Sequence, residues 1–213
     1  MIKNAKAAAG RKNLKKTPIR KKAGSAGIDN ELGQSKAAIA NKLLVAAPNY
    51  RSLVPGGFFS SDPYDHSVPT AIRTNNPGAI NASHSWVLQF AGYVGKDETT
   101  PGNLTAIFEA PEFGVALWWT LFKRYKASLD PTFTLHTIIY KYCGAGRERE
   151  ARDYLAFVCR RTGLPEDYAV DLMGDQDLQK IARAFYRYEA GKESPLLDKQ
   201  ILYGFNYARN MRS

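Results

Sequence analysis

PEFGVALWWTLFKRYKASL, residues 111 to 129, is the stretch on which the fold turns. Its apolar residues Phe113, Val115, Leu117, Trp118, Trp119, Leu121, Phe122 and Tyr125 run nearly all the way round a helix. A helix that is apolar on every side is normally buried at the centre of a domain. Pro111 and Glu112 mark its start, because proline tolerates the first turn and an acid there complements the helix dipole.

Upstream of this helix the pattern is β-like. NNPG at 75 to 78 is a turn signal, WVLQFAGYV (86 to 94) is rich in aromatic and branched residues, and LTAIFE (104 to 109) reads as its partner strand. Downstream, helical periodicity predicts segments at 132 to 142, 147 to 162, 176 to 190 and about 195 to 208. The expected class is α+β, mostly helical, with one small antiparallel sheet near its start. Before the sheet, residues 49 to 70 hold Pro55, Gly56, Gly57, Pro63 and Pro69 and read as an irregular linker, and SKAAIANKLLVAA (36 to 48) reads as a short amphipathic helix.

The charge is unevenly distributed. The chain of 213 residues carries a net +10, yet residues 1 to 22 hold nine Lys and Arg and no acid, leaving 21 basic against 20 acidic residues elsewhere. The basicity therefore belongs to a tail, 1 to 34, read as flexible and disordered, ahead of a domain at 35 to 213. The tail reads either as a solvated arm or as one that binds anions or docks on a carrier. Nucleic acid is the less favoured partner, since the rest of the chain is nearly neutral. The tail lacks the apolar run of a secretory signal, and no stretch reaches the length of a membrane span. Cys143 and Cys159 suggest buried thiols rather than a disulfide framework, and His66, His84 and His136 show no metal-ligand spacing, so neither metal nor cofactor is expected.

One acid sits in an unusual place. In DQDLQKIARAFYRYEAG, with Asp175 as N-cap and Gly191 past the end, Leu178, Ile181, Ala182 and Phe185 form one apolar face, and the next step of four reaches Glu189. Burial and the negative end of the helix dipole both disfavour the charged carboxylate, so both raise its pKa. A carboxylic acid held protonated near neutral pH is what protonating a leaving-group oxygen requires. The competing reading is a structural glutamate paired with an arginine such as Arg183.

RTNNPGAI (73 to 80), the aromatic segment after it, IFEAPEFGVALWWTLFKRY (107 to 125), TLHTIIYKYCGAGREREARDYLAFV (134 to 158) and the YEAG segment together resemble a family of phage virion-associated proteins with a lysozyme-like fold. The resemblance is strongest over 71 to 205. YEAGKESP is also similar to the acid-bearing segment of lytic transglycosylases, and DYLAFV to the segment lining their substrate groove, in the order a circular permutation would produce. Position 79 is Ala where the family pattern has Asn, and position 190 is Ala where Asn or Ser is usual.

The resemblance implies a peptidoglycan muramidase acting on the β-1,4 bond between N-acetylmuramic acid and N-acetylglucosamine, with Glu189 as general acid. It implies delivery to the cell wall or periplasm by a virion or secretion apparatus, after synthesis in the cytoplasm. The alternative is a non-catalytic virion or secretion-associated structural module that keeps the fold for binding glycan or protein. A second acid, where hydrolysis needs one, is sought among Glu112, Glu109 and Glu193. Glu112 is equally explained as a first-turn acid, Glu109 ends a strand, and Glu193 falls in a loop. Asn75, Asn76 and Asn81 are candidates for binding sugar amides and hydroxyls, with turn chemistry as their other reading. Tyr154 and Tyr142 are candidate groove residues, with Tyr140 beside them, against the ordinary role of an aromatic in the core.

Overall fold

A computed structural model describes residues 62 to 99 and 101 to 211. The expected tail at 1 to 34, the helix at 36 to 48 and most of the linker at 49 to 70 lie outside the described residues. The elements are Thr70–Arg73 (α1), Ser85–Leu88 (α2), Tyr93–Lys96 (β1), Ala106–Phe108 (β2), Pro111–Leu129 (α3), Leu135–Cys143 (α4), Glu148–Thr162 (α5), Asp175–Ala190 (α6) and Asp198–Asn210 (α7). The described part is thus α+β, mostly helical, with a two-stranded antiparallel sheet.

The all-round apolar helix takes the central position that its sequence predicts. Val115, Ala116, Leu117, Trp118 and Phe122 of α3 are fully buried. The Trp118 ring packs at 4.0 Å from Phe122, 5.5 Å from Phe185 and Tyr186 of α6, and 6.3 Å from Phe205 of α7. Aromatic pairs at these separations add to the stabilisation their buried area already gives. Helix α7 packs along α3, α6 on α5, and α5 on α4.

The strand expected at 86 to 94 is a correction. Residues Ser85–Leu88 form a helical turn, and the strand is confined to Tyr93–Lys96, pairing Tyr93 with Phe108 and Lys96 with Ala106. Tertiary packing overrides the strand propensity of WVLQF. Val87 and Phe90 are buried, and Phe90 meets Trp86 and Phe108 edge-on. A second correction concerns Asp175. Gly174 occupies the N-cap of α6, while Asp175 sits in the first turn and pairs with Arg209 of α7 at 2.6 Å.

Arg73 and Asp97 lock the hairpin to α1. Both are buried, and Arg73 donates to the Asp97 carboxylate and the Pro63 carbonyl. Burial pushes the Asp97 carboxyl up, but hydrogen bonds from Thr99 and Arg73 outweigh it and hold the group below its ordinary value. The lock fixes the loop between Thr74 and Asn81, which forms one wall of the cleft described next.

Candidate active site

Helix α6 ends at Ala190, and Gly191 follows in the left-handed conformation with φ 67°. Glu189 therefore lies in the last turn, at the end of the face made by Leu178, Ile181, Ala182 and Phe185, all of which are buried. The side chain opens into a cleft of ≈ 260 Å³. The loop Gly78–His84 forms one wall, Leu121 and Tyr125 of α3 with Tyr142 and Cys143 of α4 form another, and Arg147, Glu150 and Tyr154 complete it.

Glu189 is partly buried, and its carboxyl is pushed up to about 7. Burial is the main cause, and the charge of Glu150 adds to it. A hydrogen bond from Tyr154 and the positive charge of Arg147 act the other way without cancelling it. The carboxyl is thus close to half protonated at neutral pH, where it can both donate and take back a proton.

Among the described residues no arginine pairs with the acid: Glu189 joins no ion pair, and Arg183 is committed to Asp198 and the Leu196 carbonyl. The reading of Glu189 as the structural partner of Arg183 is therefore set aside.

The two tyrosines meet at the cleft. Tyr154 is only 1 % exposed and stacks on Tyr188 at 3.8 Å, so its ring is core. Its hydroxyl nevertheless reaches the cleft. The contact with the Phe185 carbonyl, 3.5 Å long, is at the outer limit of a hydrogen bond, leaving the proton for Glu189. The Tyr142 hydroxyl donates to the Gly78 carbonyl and ties α4 to the opposite wall. A Cβ on Gly78 would lie 2.7 Å from the Trp118 ring, so glycine is what allows this approach. Burial first, and the nearby Glu189 second, raise both phenols well above their ordinary value, so they stay protonated as donors. Tyr140 does not line the cleft; it stacks on His136 at 4.3 Å.

The asparagines divide. Asn81 is exposed and lines the cleft, consistent with a polar contact to a ligand. For Asn75 and Asn76 the turn reading replaces the sugar-binding one: both are buried and face the hairpin. Asn75 donates to the Phe108 carbonyl at 3.0 Å; Asn76 donates to Ile80 and Ala106 carbonyls at 2.9 Å and accepts from the Ile80 amide. These amides hold a turn to a strand and are out of reach of substrate.

None of the three candidate second acids lines the cleft. Glu112 is fully buried in the first turn of α3, its carbonyl against Gly204 of α7. Glu109 follows β2, its amide donating to the Gly92 carbonyl. Glu193 is exposed and pairs with Arg161 and Arg187.

The carboxylate that does share the cleft is Glu150. Its two oxygens accept from Arg147, one at 2.7 Å. Its sequence signal is a spacing of four from Tyr154, which puts both on one face of α5. Ser83, His84, Trp86, Tyr125 and Arg147 also line the cleft. Cys143 lines it too, but burial pushes its thiol up to about 11, so it is a poor nucleophile at neutral pH.

Among the described residues no group of three or more His, Cys, Asp or Glu side chains is arranged to hold a metal ion, and no helix is long and apolar enough to cross a membrane. Comparison of the chain with known protein families and with curated proteins finds no match.

Proposed function

We propose that this chain is a peptidoglycan-cleaving muramidase of lysozyme-like fold, with Glu189 as its general acid. The observation that carries the reading is a carboxyl in no ion pair among the described residues, with a pKa of about 7, opening into a cleft lined by Tyr125, Tyr142, Tyr154 and Asn81. In this chemistry Glu189 gives its proton to the glycosidic oxygen between N-acetylmuramic acid and N-acetylglucosamine as the bond to the muramic C1 breaks. The 6-hydroxyl of the same muramic residue then bonds to C1, and its proton returns to the Glu189 carboxylate. The product is a 1,6-anhydro end, formed without water. This single-acid route is favoured because Glu150 gives both its oxygens to Arg147. Hydrolysis with Glu150 assisting is the second reading, supported by its place in the same cleft.

The test is digestion of purified sacculi, with released muropeptides identified by mass spectrometry. Wild-type protein is expected to release 1,6-anhydro muropeptides, and Glu189→Gln to release none while keeping its fold. Reducing ends alone would replace the single-acid route by hydrolysis. Undiminished release by the Gln variant would overturn the assignment. If folded wild-type protein binds the sacculi and releases nothing, the non-catalytic glycan-binding reading takes its place. The basic segment at 1 to 22 belongs to this proposal as the part that docks on a virion or secretion-apparatus carrier, or on anionic cell wall.

A further inference from the structure

Trp86 lines the Glu189 cleft and also a second depression of ≈ 460 Å³. The two hollows are neighbours with one aromatic wall in common.

The second hollow has a distinct chemistry. Its lining includes Gln89, Phe90, Thr120, Lys123 and Arg124, and no acid. Arg124 is exposed, and its guanidinium carbon lies over the Trp86 ring, 4.5 Å from the centroid. Lys123 spends its ammonium on the Ala208 carbonyl, at 3.0 Å, and on the Trp119 face. Neither cation joins an ion pair among the described residues. Thr120 Oγ1 is buried in this wall without a hydrogen-bond partner. A guanidinium already held over an aromatic face has less freedom to lose when it pairs with a carboxylate.

We propose that this depression is a subsite of the same groove for the stem peptide of a muramyl residue, with Arg124 pairing with a peptide carboxylate. The inference rests on the peptidoglycan reading of the Glu189 cleft. A glycan strand lying in that cleft carries its peptides on the muramic lactyl groups, and one directed across Trp86 meets a cationic hollow with no competing acid.

Two measurements on the full chain separate this proposal from the one it rests on. The first is binding by calorimetry, with the Glu189→Gln chain and a soluble disaccharide–peptide as probe. The carboxylate form of the peptide is expected to bind about tenfold tighter than its amidated form, the scale of one charge-assisted contact. Adding Arg124→Gln should erase that difference. Equal binding of the two forms, or a difference that survives Arg124→Gln, overturns the subsite whatever the chain's activity. The second is cleavage of sacculi compared with the same strands stripped of peptide by an amidase. Arg124→Gln should cut stripped strands at the wild-type rate and lose the preference for peptide-bearing ones. Equal losses on both substrates would overturn the proposal. Failure of wild type to cut either one, with the binding difference intact, would count against the catalytic reading alone.

Discussion

The Tyr154 hydroxyl serves the Glu189 carboxyl from within the core, and the Glu150 carboxylate opposes it from the rim of the same cleft. The two act on the acid with opposite sign. The hydrogen bond from Tyr154 favours the charged form of Glu189, and the charge of Glu150 disfavours it. A general acid must be protonated, so activity should fall as pH rises through the Glu189 pKa, near 7. Tyr154→Phe should move this alkaline limb to higher pH, and Glu150→Gln should move it to lower pH. The measurement is the rate of sacculus clearing from pH 5 to 9. Shifts of the same sign in both variants would contradict this account of the site.

Glu189 also leaves a mark on stability that needs no substrate. Its folded carboxyl titrates near 7, above its ordinary value of 4.5. Between those two pH values the folded protein binds more protons than the unfolded chain, so stability falls as pH rises. The effect is complete below 4.5 and lost through 7, and amounts to at most about 3 kcal/mol. Glu189→Gln removes the titration. It should match wild type near pH 4, become progressively more stable relative to it up to pH 8, and then hold a constant gain. Urea melts at several pH values measure this directly.

Asn76 should behave as a structural residue. Alanine at this position removes the side-chain donors to the buried carbonyls of Ile80 and Ala106 and the acceptor of the Ile80 amide, leaving the Ile80 carbonyl with the Ala106 amide alone. The expected loss is about 2 to 4 kcal/mol, since buried polar groups lose their compensation. Asn81→Ala, at an exposed cleft position, should leave the melting temperature within a degree or two and weaken substrate binding instead. If Asn76→Ala melted normally while binding substrate poorly, the assignment of these two residues would be reversed.

How far the sequence reaches depends on whether a signal is local. The central helix is legible because Trp118, Phe122 and their neighbours fill nearly every side of one turn after another, a pattern that a buried helix accommodates. Glu189 is legible for the same reason, as one step of four beyond Phe185. The turn at Ser85–Leu88 is not, because Trp86, Val87 and Phe90 favour a strand until Phe90 packs edge-on against Trp86 and Phe108. The buried duty of Asn75 and Asn76 is hidden too, since Phe108 and Ala106 lie 33 and 30 residues away. Glu150 reads as an ordinary first-turn acid until Tyr154 and Glu189 are seen to share its cleft.

Ala79 offers a test that joins conformation to function. It lines the cleft with φ 46°, a left-handed conformation that costs an alanine of the order of 1 kcal/mol and that asparagine and glycine adopt more readily. Ala79→Gly and Ala79→Asn should therefore both relieve the backbone, with a gain of about 0.5 to 1 kcal/mol in a denaturant melt. Only the asparagine adds an amide to the wall that also carries Asn81. Under the proposed chemistry, Ala79→Asn should lower KM for soluble glycan fragments several-fold, while Ala79→Gly leaves it unchanged. Equal KM values in the two variants would mean that this wall makes no polar contact with the sugar. A lower melting temperature in both would show that the left-handed turn is held by something other than residue 79.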